Sequence, residues 1–236
     1  MDNTPRILGI IPARAGSKGI PDKNIRLLAG KPLICYTIQS ALLSNKLDTI
    51  LISTDSEEVV AISKQYDRID IPFIRPKELA LDTTPTIDVA QHAVKHYEKM
   101  GKTFDYICLL QPTSPFRNDD LIDKTIEKII DTKADSLTTI RRIPDKHNPH
   151  WTFEMKDNFL FVSTGEQLII PRRQDLPDAW HRDGKIYIST IKQIQKGAFL
   201  GGNIFGYINE NEPDVNIDTW EDWQLAEKLL NDGFQS

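Results

Sequence analysis

The sequence predicts an α/β protein built on a doubly wound, mostly parallel sheet, and three observations carry that prediction. Short apolar, β-branched runs alternate with segments of helical spacing along most of the chain. Between about residues 141 and 182 the alternation gives way to prolines, aromatics and a turn-like "KDN". The first apolar run leads straight into a Gly- and Pro-punctuated loop crowded with basic residues. At 236 residues the chain suits one core better than two, so a single domain over 1–236 is expected, with residues 141–182 as an excursion from it.

The elements follow in order. "RILGII" (6–11) and "TILIST" (49–54) have the composition of buried parallel strands. Pro32 is placed to open a helix over "PLICYTIQSALL", and "DSEEVVAISKQY" starts with an Asp/Ser cap and an acidic first turn. "TPTIDVAQHAVKHYEKMG" reads as a helix ended by Gly101, "YICLLQ" as a strand, and "NDDLIDKTIEKIID" as an Asn-capped helix. "WTFEM" and "FLFVS" flank the turn of a β-hairpin that is expected to protrude as an arm. The α/β pattern returns with "GKIYIST" and "IFGYI" and closes on the amphipathic helix "TWEDWQLAEKLL".

Composition excludes several functions. A formal charge of −5 argues against a general nucleic-acid binder. No apolar run approaches the roughly 20 residues that cross a bilayer, and "MDNTPR" lacks the start of a signal peptide, so the expected address is the cytoplasm. Cys35 and Cys108 each lie in an apolar stretch and read as buried thiols. His92 and His96 have zinc-pair spacing without a third ligand, which leaves a solvated helix face as the better reading. Trp151 and Trp180 flank the arm and suit packing between chains or in a local core rather than base stacking.

Against that acidic background, residues 6 to 26 carry five basic side chains and the single acid Asp22, a local net charge of +4. Charge so concentrated suits a compact anion. In open α/β sheets ligands gather beyond the carboxyl ends of the strands, where the loop "IIPARAGSKGIPDKN" (10–24) belongs. Gly16 and Gly19 permit tight or left-handed turns, while Arg14, Lys18 and Lys23 supply charge-assisted hydrogen bonds suited to a triphosphate. It is not a Walker loop, because Ser17 precedes Lys18 and the Gly9–Gly16 interval is too long. "GSKG" matches the KH tetrad, but the setting is wrong for RNA. In "LLQPTSPFR" (109–117) two prolines stiffen a loop that presents Gln111, Thr113 and Ser114 at the sheet edge, for a ligand or as a helix-capping turn. Arg117 reads equally well as a surface residue.

Together with "FIRPKELALDTTPT" (73–86), "RRQDLPDAWHRDGKIYI" (172–188) and "NIDTWEDW" (216–223), these stretches resemble, in order and over essentially the whole chain, the acylneuraminate cytidylyltransferases, or CMP-sialic acid synthetases, including those for legionaminic acid and KDN. The resemblance implies a Rossmann-like fold, a homodimer built through the arm, and transfer of CMP from CTP to the anomeric hydroxyl of a nine-carbon acidic sugar. It implies dependence on Mg²⁺, with Mn²⁺ able to substitute, and the release of pyrophosphate.

By the same resemblance Ser17, Asn24, Arg75 and Thr86 join Arg14, Lys18 and Lys23 around the nucleotide, and Arg173 and Tyr187 join Gln111, Thr113 and Ser114 around the sugar. Core packing is the other reading of Tyr187. The acidic run Asn209–Asp222 offers oxygen ligands to a hard cation; the family often has two aspartates one residue apart where this chain has Asn216 and Asp218. Asp218 is therefore the expected metal ligand and Asn216 a weaker one, with a helix cap the other reading of Asp218. Arg14, Lys18 and Asp218 are the expected catalytic residues. Asp183 stands where many sialic acid synthetases have Asn, which leaves the sugar open. The competing readings are a pseudaminic or Kdo-like substrate, which "QPTSP" and "DGKIYI" disfavour in the pseudaminic case, and an inactive nucleotide binder.

Overall fold

A computed structural model describes residues 4–234. Seven strands form the central sheet: β1 (Ile7–Pro12), β4 (Thr49–Ser53), β5 (Ile69–Asp70), β6 (Tyr106–Leu109), β7 (Ser136–Arg142), β10 (Trp180–Thr190) and β11 (Ile204–Ile208). The small pairs β2 (Leu27–Leu28) with β3 (Lys31–Pro32), and β8 (Phe153–Lys156) with β9 (Phe159–Val162), stand apart. The sheet order is β11-β7-β10-β6-β1-β4-β5. β10 runs antiparallel to both its neighbours and the other pairings are parallel.

Helices cover both faces because the strands are apolar on both sides. On one face α1 (Leu33–Leu43) and α4 (Leu121–Thr132) bury Ile34, Ile38, Ile122 and Ile126 against Ile7, Ile11 and Ile188, with α2 (Glu57–Ser63) adding Val59. On the other, α3 (Thr86–Lys99) and α5 (Ile191–Gln195) pack Ala90, Ala93 and Ile194 against Leu8, Ile10 and Ile107. The closing helix α6 (Trp220–Asn231) builds a third cluster with Ile20, Leu33 and Phe116, which ties the basic loop to the sheet edge.

Local chemistry explains most boundaries. Ser56 caps α2 by accepting the Val59 N–H, α3 stops just before Gly101 at φ +74°, and the hairpin turn puts Asp157 and Asn158 at φ +50° and +65°, the left-handed pair of a type I′ turn. Some expectations need correction. Asp120, not Asn118, stands at the start of α4, and its side chain makes no capping bond. His92 and His96 are not a solvated face, for both rings pack on Phe73 at 4.5 and 4.8 Å. Arg117, read as equally suited to the surface, is fully buried. Cys35 and Cys108 are free buried thiols, and burial pushes Cys108 up to about 12.

Candidate active site

The strand order reverses beside β1: the chain passes from β1 to β4 on one side and then to β6 on the other. That switch point opens a crevice beyond the carboxyl ends of the strands, and a cleft of about 410 Å³ lies there. It is walled by the loop after β1, the segment before α3, the loop after β6 and the stretch entering α6.

The basic loop is shaped by its own backbone contacts. Gly16 takes φ +60°, the Asn24 amide donates to the Arg14 carbonyl at 3.0 Å, and Arg14 Nη1 donates to the Gly16 carbonyl at 2.7 Å. Gly19 serves a different purpose from the turn expected of it: a Cβ there would lie 2.6 Å from the Asp218 carbonyl, so only glycine lets this loop touch the far wall. Lys23 spans the same contact, donating to the Ile217 carbonyl at 2.7 Å and pairing with Asp218 Oδ1 at 3.1 Å.

All seven nucleotide residues inferred from sequence line this cleft: Arg14, Ser17, Lys18, Lys23, Asn24, Arg75 and Thr86. Arg75 is held at the end of β4 by Ser53, whose hydroxyl and carbonyl both accept from the guanidinium. Burial draws its pKa down to about 10, which still leaves the cation intact at neutral pH. Gln111, Thr113 and Asp218 line the same cleft.

Four of the inferred residues are not brought into the lining. Ser114 is fully buried, and its hydroxyl lies 3.1 Å from the Gly184 carbonyl and 3.2 Å from Asn216 Oδ1. Asn216 stands behind Asp218 rather than beside it as a ligand; its amide nitrogen donates to Asp218 Oδ2 at 2.8 Å. Tyr187 sits inside β10, paired with Leu109 and Thr138. Arg173 lies on the excursion with a side chain 76% exposed and pairs with Asp145. Asp218 does not cap α6 with its side chain. Thr219 is the cap, accepting from the Asp222 N–H while Asp222 accepts from Thr219 in return.

Asp183 also proves internal. Its carboxylate accepts from the Thr139 hydroxyl, from Asn209 Nδ2 at 2.8 Å and from the Lys185 N–H at 3.1 Å. It therefore does not line the cleft. Beside it lies a buried ion pair that sequence reasoning missed, Lys185 Nζ with Glu212 Oε2 at 2.6 Å. A lysine inside the apolar run "GKIYI" is the signal that such a partner exists. Arg117 completes the group, donating to the Lys185 carbonyl at 3.1 Å, the Thr37 hydroxyl at 3.0 Å and the Gln111 carbonyl at 2.7 Å. Asp82, also missed, lines the cleft and bridges Arg14 and Lys18.

No three acids, histidines or cysteines cluster as a metal cage among the described residues. Asp218 presents a carboxylate, 62% exposed, at the cleft beside Lys23, which fits a hard cation held by one protein oxygen together with substrate phosphates.

Comparison with known proteins points the same way. A family described as "Cytidylyltransferase" matches residues 8–195. The chain is 37% identical over 229 residues to the CMP-N,N'-diacetyllegionaminic acid synthase of Legionella pneumophila, covering 95% of this chain and 96% of the relative. It is 30% identical over 230 residues to the pseudaminic acid cytidylyltransferase of Campylobacter jejuni, covering 97% and 98% of the two chains. Among solved structures, a CMP:2-keto-3-deoxy-manno-octonic acid synthetase complexed with CTP superposes with a TM-score of 0.70 at 17% identity, covering 96% of this chain and 99% of the other.

Proposed function

The chain belongs to the cytidylyltransferase family and is a CTP-dependent enzyme; we propose that it transfers CMP to the anomeric hydroxyl of a sialic-acid-like nonulosonic acid and releases pyrophosphate. The observation that supports this most is one cleft in which Arg14, Lys18 and Lys23 face Asp218, with Gln111 and Thr113 on the remaining wall. Among nonulosonic acids, the legionaminic type is favoured by the 37% identity to a synthase of that class against 30% to the pseudaminic enzyme.

The chemistry needs alignment and charge neutralisation more than a nucleophile. Arg14 and Lys18 hold the triphosphate so that its α-phosphorus faces the sugar, and they neutralise charge on the departing pyrophosphate. Arg75, Asn24, Ser17 and Thr86 fix the nucleoside and the first phosphate, while Gln111 and Thr113 orient the sugar hydroxyls. Asp218, together with the substrate phosphates, would hold Mg²⁺, which would supply Lewis acidity at the triphosphate. Asn216 turns the Asp218 carboxylate, and Lys23 holds its other oxygen.

The sugar carboxylate calls for a guanidinium, and Arg173 is carried away from its own cleft by the arm. The arm also exposes Met155, Phe159, Phe161 and Leu168, an apolar surface suited to a second copy of the chain. The reading is a homodimer in which each arm delivers Arg173 to the other cleft. A cytoplasmic address fits a CTP-dependent enzyme, and among the described residues no helix is long and apolar enough to cross a membrane.

Offering a panel of nonulosonic acids with CTP and Mg²⁺, and weighing each product by mass, identifies the acceptor. CTP should be used far better than UTP or ATP, since a base site built for one donor pattern leaves its own groups unpaired with another. Equal turnover with UTP sinks the cytidylyl assignment.

A further inference from the structure

Arg14 and Lys18 already hold a carboxylate. Asp82 Oδ2 lies 2.6 Å from Lys18 Nζ, and Oδ1 is paired with Arg14 Nη2. The two oxygens are thus divided between two cations, the arrangement two oxygens of a phosphate group would adopt. The segment that brings Asp82 here is lightly anchored. It consists of the short 3₁₀ turn Lys77–Leu79 and a turn closed by the Thr84 N–H to the Leu81 carbonyl at 3.1 Å, with residues 81–83 exposed. Among the described residues nothing else hydrogen-bonds the Asp82 carboxylate. Lys18, followed by Arg14, holds its pKa below the usual carboxylate range, so it is charged at neutral pH.

We propose that Asp82 is an internal counter-anion of the phosphate subsite: it pairs with Arg14 and Lys18 in the free enzyme, yields them to the triphosphate, and takes them back as pyrophosphate leaves. The proposal rests on the reading of Arg14 and Lys18 as phosphate ligands. The same donors cannot serve both anions, so an incoming phosphate binds only the fraction of molecules in which Asp82 has let go, and its apparent affinity falls by that fraction. Partly solvated ion pairs are weak, which keeps the exchange reversible. Lys23 and Asp218 differ, because Lys23 is also fixed by the Ile217 carbonyl and Asp218 by Asn216. Asp82 has no such second tether. The device acts on product release as much as on entry, for a carboxylate returning to Arg14 and Lys18 competes with the pyrophosphate that occupies them.

Calorimetric titration of metal-free inorganic pyrophosphate and of CTP into the wild-type enzyme, Asp82→Asn and Asp82→Glu tests this, with cytidine as the control ligand. Asp82→Asn should bind pyrophosphate and CTP about tenfold more tightly, the gain expected from freeing two charge-assisted donors. Cytidine should bind both enzymes within about twofold, and Asp82→Glu should behave as wild type, since the base does not use these donors and the charge is kept. Unchanged or weaker pyrophosphate binding in Asp82→Asn overturns the proposal, as does an equal gain for cytidine or the same gain in Asp82→Glu. Arg14→Ala and Lys18→Ala separate the two layers of the argument. If they lose pyrophosphate while Asp82→Asn is unchanged, only the counter-anion fails; if they bind it like wild type, the phosphate assignment fails and takes the counter-anion with it.

Discussion

Two groups of charges lie at the same end of the sheet and are arranged in opposite ways. In the cleft, Arg14, Lys18 and Lys23 pair with Asp82 and Asp218, whose side chains keep 28% and 62% of their surface in water. In the interior, Lys185 and Glu212 pair with 0% and 2% exposed, flanked by Arg117 and Asp183. The buried four sum to zero charge, and each is tied to backbone or hydroxyl groups as well as to one another. The difference teaches what each group is for. A pair that must change partners belongs in water, where pairing is weak; a pair that must hold a geometry belongs inside, where losing a partner is costly. Arg117 links α1, the loop after β6 and β10 through three hydrogen bonds, so the buried group sets where Gln111 stands.

The contrast breaks first at Glu212. Glu212→Ala leaves Lys185 buried without its partner, and a loss of about 3–5 kcal/mol in unfolding free energy is expected from urea titration. Replacing the pair together, Lys185→Met with Glu212→Leu, should recover a large part of that loss. A single-variant cost near that of an exposed pair, below about 1 kcal/mol, removes the distinction between the two groups.

Lys18→Ala comes next and must show the reverse pattern. Turnover should fall by about two to three orders of magnitude, as for loss of one well-placed electrostatic donor, while the thermal midpoint stays put. If activity holds within a fewfold and the midpoint drops, the cleft cations are structural.

Asp218→Asn sharpens the comparison within the cleft itself. Because Thr219 and not Asp218 caps α6, the change turns the proposed carboxylate ligand into a neutral, much poorer one without touching the helix end. A large fall in turnover and a raised Mg²⁺ requirement are expected in a Mg²⁺ titration of the rate, at unchanged thermal stability. An unaltered metal dependence leaves the cation to the phosphates and some other acid.

The cleft cations were legible in the sequence and the buried charges largely were not, for a physical reason. Loop cations that serve a ligand stand out as unpaired charge among Gly and Pro, so Arg14, Lys18 and Lys23 could be read before any partner was known. The buried group is assembled from three distant segments, and neither Arg117 nor Glu212 shows in its own neighbourhood that it is inside. Strand order has the same character. The apolar run of β10 reads as a buried strand, but nothing in its composition records that it runs antiparallel between β6 and β7. The arm was visible as a hairpin through its turn residues. Asp82 went unread inside a quoted stretch because an exposed loop acid carries no signature until the cations opposite it are placed.

The smallest expected effect tests the border between the two groups. Asp222 lies at the entrance of α6, accepting from the Asp218 N–H at 3.0 Å, the Thr219 N–H at 2.8 Å and the Thr219 hydroxyl at 3.0 Å. Burial works to raise its pKa, but those bonds, with Lys23 nearby, outweigh it and hold the carboxyl below the ordinary value. A carboxylate depressed in the folded state stabilises the fold above the unfolded pKa of about 3.9, and that contribution is lost as the pH falls through the folded value. Asp222→Ala should therefore cost about 1 kcal/mol at pH 7, as for loss of a helix cap, with the gap to wild type closing below about pH 4. Urea titrations of both proteins from pH 7 to pH 3 measure the gap. Asp222 also fixes the backbone from which the Asp218 carboxylate projects, so the variant's Mg²⁺ requirement should rise slightly at pH 7 while its stability loss stays near that of a cap. A gap that persists undiminished at pH 3 assigns the loss to packing, and a metal effect as large as that of Asp218→Asn moves Asp222 from the fixed group into the site itself.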